Sequence, residues 1–173
     1  MTFALGETAT GELPLEIVLK NSVTKKGLSR IVSGHSYVKV AKVKGHSLDE
    51  IGRSIAQSRP IMREIRAQKM ASGGRVTKPK GSTYEPNYWG RVKSEVFILL
   101  CTKDKKYAPL RRQLGAHAGK TQLAIVGAIS AGVASSAGVV AGAAVPLVAI
   151  CLIGFLQVGK NAFCKEFTHL KLE

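Results

Sequence analysis

Residues 121–159 read TQLAIVGAISAGVASSAGVVAGAAVPLVAICLIGFLQVG, and this stretch decides the fold. These 39 consecutive residues, in a chain of 173, contain no charged side chain. An α-helix rises about 1.5 Å per residue, and about 20 apolar residues cross the hydrocarbon core of a bilayer. The stretch is therefore long enough for two passes, and it indicates a membrane protein.

The two halves of this stretch differ in composition. Residues 121–142 are mostly Gly, Ala and Ser, whereas residues 143–159 are rich in Val, Leu, Ile and Phe. Large aliphatic residues each favour insertion by about 0.3–0.6 kcal/mol, so the second half inserts readily and the first is marginal alone. We expect a helical hairpin of about residues 121–141 and 145–163. A single span over residues 137–159 is the alternative.

Small residues spaced four apart in the first half favour close contacts between membrane helices. In a homo-oligomer, this half could line a pore while the aliphatic half faces lipid. The alternatives are a plain anchor whose small residues only pack the hairpin, and a soluble protein that buries the hairpin in its core. The residues predicted to line the pore or pack the helices are Gly127, Ser130, Ala131, Gly132, Ser135, Ser136, Gly138 and Gly142.

The rest of the chain is strongly basic. Residues 1–120 carry 23 Lys and Arg against 9 Asp and Glu, which is +14 of the total net charge of +15. A basic domain beside a membrane attracts anionic lipid or nucleic acid, although positive-inside topology alone would give the same bias. The N-terminus lacks the basic n-region of a secretory signal. We predict a cytosolic domain over 1–120, a transmembrane region over 121–163 and a cytosolic tail over 164–173, in the bacterial inner membrane.

The cytosolic part is predicted to be a small α/β (or α+β) domain. Leu13–Lys20, Ser36–Lys44 and Arg91–Thr102 have the apolar runs or the alternation of strands, and the last is typical of a buried central strand. A capping box at residues 47–50 predicts the start of a helix, which Pro60 kinks or divides. The predicted fold is therefore this domain followed by a C-terminal transmembrane helical hairpin.

A basic segment with aromatic neighbours is the candidate ligand site. Residues 53–80 hold eight Lys and Arg against one acidic residue, and three of the arginines fall on one face of a continuous helix. Basic side chains neutralise phosphates and aromatic rings stack on bases. A solvated basic face with a core tryptophan, or a surface for anionic lipid head groups, are the alternatives. The predicted ligand-binding residues are Arg59, Arg63, Arg66, Lys69, Lys78, Lys80, Tyr84, Tyr88 and Trp89.

No catalytic or metal-binding pattern is present in the sequence. Residues 115–121 have one residue too few between their glycines for a phosphate-binding loop. The four histidines are scattered, and the three cysteines contain no CxxC pair, so neither a zinc site nor a disulfide framework is suggested. We expect reduced, buried cysteines, no cofactor, no metal and no enzymatic activity.

The segments EVFILLCTKDKKYAPLRRQL, at 95–114, and GAISAGVASSAGVVAGAAVPLVAICLIGF, at 127–155, resemble in their arrangement the small two-helix membrane channel effectors of Hailong-like bacterial anti-phage defence systems. In that family, a cytosolic sensor domain precedes two short transmembrane helices, and opening depolarises the infected cell. The resemblance implies an oligomeric pore in the lipid bilayer, gated by an oligonucleotide or cyclic-nucleotide-like ligand from a partner nucleotidyltransferase. Two further hypotheses are a membrane-tethered module that binds nucleic acid or anionic lipid without conductance, and a pore-forming toxin.

Overall fold

The described part of the chain is built from α-helices. A computed structural model describes residues 14–34, 45–71, 73, 88–116 and 121–167. A short 3-10 turn, Lys105–Tyr107, precedes the sixth helix. The helices are α1 Leu15–Ser22, α2 Lys25–Gly34, α3 Leu48–Ala56, α4 Arg59–Ala71, α5 Tyr88–Cys101, α6 Ala108–Gly115, α7 Gln122–Ala137 and α8 Ala141–Glu166.

The prediction of an α/β (or α+β) domain is wrong, because the described residues contain no sheet. Arg91–Thr102, predicted as a central strand, belongs almost entirely to α5, and Leu13–Lys20 contains most of α1. Ser36–Lys44 lies outside the described residues. A short apolar run fits a buried strand and a buried helix alike, so the spacing of the buried residues is the better guide to the type of element. That spacing, of three or four, separates the buried residues Trp89, Val92, Val96 and Leu99.

Helix α3 begins at the predicted capping box. The Glu50 N–H donates to Ser47 Oγ at 3.2 Å, and the Ser47 N–H donates to Glu50 Oε2 at 2.9 Å. The predicted division at Pro60 is also confirmed, because α3 ends at Ala56 and α4 begins at Arg59. Pro60 takes the second position of α4, where a missing N–H breaks no intrahelical hydrogen bond.

Helix α8 occupies the centre of the core. It packs against α1, α2, α3, α4, α5 and α7. A helix that is apolar on every side needs apolar partners on every side, and these helices supply them. One continuous core joins residues on both sides of the predicted boundary at residue 120. The residues of α8 that it buries include Ala143, Ala144, Leu147, Val148, Ala149, Ile150, Cys151, Leu152, Ile153 and Phe155.

A three-residue connection makes α7 and α8 neighbours. Gly138 ends α7 in the left-handed conformation, with φ 64° and ψ 38°, which glycine adopts at low cost. The next amide, that of Val139, donates to the carbonyl of Ala134 at 3.0 Å. The turn therefore lies at residues 138–140, a few residues before the connection between residues 141 and 145 that the predicted hairpin requires.

Helix α8 is interrupted at Gly159, whose φ of 79° and ψ of 167° are not helical. Around the break, the ring centroids of Phe155 and Phe163 lie 5.6 Å apart, and those of Phe163 and Phe167 lie 4.9 Å apart. Phe167 also contacts Phe97 of α5 at 5.4 Å. Gly159 therefore separates the apolar part of α8 from a short charged end, and an aromatic cluster holds that end against α5.

A disulfide joins Cys101, at the end of α5, to Cys164, near the end of α8. Their Cα atoms lie 5.5 Å apart, and 63 residues separate them in sequence. The expectation of reduced cysteines is therefore wrong for this pair, whereas Cys151 is unpaired and buried. Closing a loop of this length removes chain entropy from the unfolded state, which corresponds to about 4 kcal/mol of stabilisation.

Candidate functional site

The apolar span, residues 141–158 of α8, is the main candidate for a functional element. Among the described helices, α8 alone is long and apolar enough to cross a membrane, judged by length and composition. The 18 residues of the span would measure about 27 Å as a straight helix, close to the thickness of a hydrocarbon core. In the structure, 67 % of an 18-residue apolar stretch of α8 is buried inside the protein. Helix α7 is apolar but has only 16 residues.

The buried face of α7 is mainly aliphatic and includes Ile125, Val126, Ile129 and Val133. A Cβ added to Gly132 would lie 2.7 Å from Leu110, so the close contact that a small residue permits is made with α6. Of the residues predicted to pack helices or line a pore, one is buried and two are half-buried. The exposed ones are Gly127, Ala131, Ser135, Ser136 and Gly138, the half-buried ones Gly132 and Gly142, and the buried one Ser130.

The serines of α7 do not share one face. Ser130 is 1 % exposed, and its hydroxyl has no hydrogen-bond partner among the described residues. Ser135 and Ser136 lie on the exposed side of the helix. Because the three serines lie on different sides of α7, no rotation of this helix as a rigid body would place all three along one pore.

The basic segment contributes an exposed face of α4. Arg63, Arg66 and Met70 fall at helical positions i, i+3 and i+7, and all three are exposed, Met70 by 70 %. Arg59 and Lys69 lie in α4, but the structure does not describe their side chains. The other predicted ligand-binding residues of this segment, Lys78, Lys80 and Tyr84, lie outside the described residues.

The two described aromatic residues of the predicted ligand site are used inside the fold. Trp89 is 4 % exposed and covers Gly52, where an added Cβ would lie 2.2 Å from the indole ring. The Tyr88 hydroxyl accepts a hydrogen bond from the Val140 N–H at 2.9 Å, at the start of α8. Neither ring lies on the exposed face of α4, so neither is placed to stack on a base bound there.

Asp49 is the centre of a polar cluster between α3 and α5. Its carboxylate accepts hydrogen bonds from Lys93 Nζ at 2.7 Å and from Trp89 Nε1 at 3.1 Å, and Arg53 lies 3.6 Å away. Burial alone would raise the pKa of Asp49, but these hydrogen bonds and charges outweigh it and lower the pKa. The cluster ties two helices of the bundle together.

Arg111 of α6 caps the end of α5. A guanidinium near a helix C-terminus stabilises the last carbonyl groups, which have no partner within the helix. Arg111 is not among the predicted site residues, because its partners are backbone atoms of a preceding segment that no sequence motif marks. Its guanidinium donates hydrogen bonds of 2.7–3.1 Å to the carbonyl oxygens of Ile98, Leu99, Thr102 and Asp104.

Tyr107 buries its ring beside the same helix end and donates a hydrogen bond to Glu95 Oε2 at 2.7 Å. Burial is the main cause that raises the pKa of the Tyr107 hydroxyl, which keeps it protonated and a donor. Lys106 also contacts Glu95, at 2.5 Å. These contacts stabilise the junction of α5 and α6.

Within the described residues, no group of three or more His, Cys, Asp or Glu side chains could hold a metal ion. No protein-family model, curated protein or solved structure matches the chain. Two features of the structure bear on function, the enclosed apolar span and the basic outer surface.

Proposed function

We propose that the protein is a membrane-inserting, pore-forming protein that stores its apolar span inside a helical bundle and transfers that span to a bilayer. The observation that carries the proposal is that an uncharged segment of membrane length is enclosed by six other helices of the bundle. A permanently embedded helix would present its apolar sides to lipid. Here those sides face other helices, so this bundle represents the stored state.

Helix α2, one of the helices that enclose the span, has one apolar side and one charged side. In α2, Leu28 and Val32 are buried while Lys25, Lys26 and Arg30 are exposed. Lipid chains are about as apolar as the leucine side chains that surround the span in the bundle. Moving the span from the bundle into lipid therefore changes its hydrophobic free energy little. The main free-energy cost of transfer is that of separating the enclosing helices from the span. A membrane surface that binds those helices would offset part of this cost.

Anionic membranes fit the surface of the protein. The chain carries a net charge of +15, and each Lys or Arg near an anionic membrane contributes about 1 kcal/mol of attraction. On α4, the exposed Arg63 and Arg66 lie on the same face as Met70, an apolar side chain that can enter the head-group region. We assign this face of α4 as the first contact with the bilayer.

A gating oligonucleotide is not part of this proposal. Single-stranded nucleic acid binding uses basic and aromatic side chains together. Tyr88 and Trp89 are engaged with Val140 and Asp49, and only Tyr84 of the expected stacking residues lies outside the described part. The ligand and its partner nucleotidyltransferase stay predictions from the resemblance, whereas the α4 face supports lipid phosphate.

Release of a trapped dye from vesicles tests the proposal. Oxidised and reduced protein are each added to vesicles of phosphatidylcholine alone and to vesicles that also contain phosphatidylglycerol. We expect flotation with the anionic vesicles, and dye release from them by at least one form of the protein. Both effects should weaken as salt is raised, because salt screens the attraction. If neither form releases dye from any vesicle, the pore-forming function is wrong.

A pair of charge-reversal variants separates the α4 face from net charge. Arg63→Glu/Arg66→Glu and Lys25→Glu/Lys26→Glu change the total charge equally, and all four side chains are exposed. We expect the α4 variant to lose flotation and the α2 variant to keep most of it. Equal loss in both would show that binding follows net charge, and the assignment of the α4 face would then be wrong.

A second candidate function is that of a soluble helical binding module in which α8 is permanently the core helix. The burial of 67 % of the apolar stretch of α8 favours this candidate, since the core helix of a soluble protein is likewise apolar and mostly buried. Vesicle flotation without dye release, in both redox states, is the outcome expected for this candidate.

A further inference from the structure

Two clamps hold α8 against α5, one near the start of each helix and one near the end. At the start, the Tyr88 hydroxyl accepts a hydrogen bond from the Val140 N–H at 2.9 Å. At the end, the disulfide joins Cys101 to Cys164. The apolar span lies between the two clamps, and every residue of it belongs to the covalent loop that the disulfide closes.

The two clamps are incompatible with a straight α8. On α5 they lie 13 residues apart, from 88 to 101, which is about 20 Å of helix. On α8 the corresponding residues, 140 and 164, are 24 apart, which would be about 36 Å if the helix were straight. The break at Gly159 resolves this difference by redirecting the charged end towards α5. Straightening α8 would carry Cys164 away from Cys101, which a covalent bond does not allow.

We propose that the Cys101–Cys164 disulfide is a redox latch that holds the apolar span in the bundle, and that reduction by a thiol reductant releases it. This inference depends on the proposed insertion of α8. A hydrogen bond such as that of Tyr88 opens and closes reversibly during thermal motion. The disulfide stays closed until a chemical reaction breaks it, so it controls release.

The reaction requires a dithiol or two monothiols. One thiolate of the reductant attacks a sulfur of the pair, forming a mixed disulfide and expelling the other cysteine as a thiolate, which takes up a proton. The second thiol of the reductant then attacks the mixed disulfide and releases the second cysteine. Two electrons and two protons pass to the protein, and the reductant leaves as its disulfide. Cys101 and Cys164 are each half-buried, which leaves part of each residue open to solvent.

With this latch, the redox conditions of a compartment decide whether the protein is in its stored, oxidised state or its insertion-competent, reduced state. Disulfides persist in oxidising environments and are reduced in the cytosol. The protein would therefore be stored in an oxidising compartment and become insertion-competent where thiol reductants are present. Cys151, buried within the apolar span, takes no part in this reaction.

Dye release from phosphatidylglycerol-containing vesicles, with and without dithiothreitol, tests the latch. We expect the reduced protein to release dye at least tenfold faster than the oxidised protein. Cys101→Ser/Cys164→Ser should match the reduced rate without dithiothreitol and should not respond to it. Tyr88→Phe, which opens only the other clamp, should stay inactive while oxidised. Thiol counting on the denatured protein, with one thiol before reduction and three after, checks the redox state.

The outcomes separate the latch from the function on which it depends. Equal release by oxidised and reduced protein would overturn the latch and leave the pore-forming function standing. Fast release by oxidised Tyr88→Phe would also overturn it, because the disulfide would then not be the controlling contact. Loss of the helical circular dichroism signal on reduction would show a structural bond rather than a latch. No release by any form would overturn the function and the latch together.

Discussion

The same substitution, Gly to Ala, should have opposite effects at Gly159 and Gly127. No atom lies within 4 Å of the Cβ that would be added at either position, so packing does not enter the comparison. Gly127 is an exposed position inside α7, where replacing glycine with alanine stabilises a helix by about 0.8–1 kcal/mol. Gly159 has a φ of 79° and a ψ of 167°, a region occupied almost only by glycine, where another residue costs about 1–3 kcal/mol. The two variants should therefore differ by about 2–4 kcal/mol.

Urea unfolding followed by circular dichroism at 222 nm measures both free energies. In a thermal melt, each kcal/mol moves the midpoint of a chain of this size by about 2–4 °C. If Gly159→Ala stabilises the protein as Gly127→Ala does, α8 is continuous through residue 159. The separation of the apolar span from its charged end would then be wrong, and so would the geometry of the latch.

Three further predictions concern contacts that hold the bundle together. Gly52→Ala would place a Cβ about 2.2 Å from the ring of Trp89 and should lower the free energy of unfolding by about 1–3 kcal/mol in urea, and a neutral effect would contradict the close contact. Asp49 has a lowered pKa in the folded protein, so its contribution to stability is complete above its unfolded pKa near 3.8 and is lost as pH falls through the folded pKa. The free energy of unfolding of the wild type should therefore fall more steeply in acid than that of Asp49→Asn. Parallel pH curves for the two proteins would refute this. Arg111→Lys keeps the charge but cannot span the four carbonyl oxygens, so urea unfolding should show a loss of about 1–3 kcal/mol, whereas an unchanged midpoint would show that charge alone matters.

The local signals in the sequence predicted helix boundaries well. The capping box placed the start of α3, and Pro60 placed the division between α3 and α4, because both act within one turn of the chain. The lack of charge in residues 121–159 predicted two successive helices. Whether their surroundings are lipid or protein is not encoded locally, since both environments require the same apolar side chains.

The errors fell where tertiary contacts decide the outcome. The end of α5 is a continuous apolar run, which fits a buried strand and a buried helix alike, so the sequence alone does not decide between them. The partner of Trp89, Asp49, lies 40 residues earlier, and the two cysteines of the disulfide lie 63 residues apart, so local patterns predict neither pairing. Such pairings depend on the packed bundle, and spacing along the chain carries little information about them.

The position of α8 in the chain has a consequence for folding during synthesis. Among the described helices, those that pack against α8 precede it, so α1 to α5 and α7 leave the ribosome before their common core exists. At about 5–20 residues per second, the interval between α2 and α8 is of the order of ten seconds. Throughout it, the earlier helices hold an incomplete apolar surface. Helix α8 can therefore pack against the earlier helices or enter a nearby bilayer soon after its own synthesis. Which of the two occurs depends on their relative rates as well as on final stability.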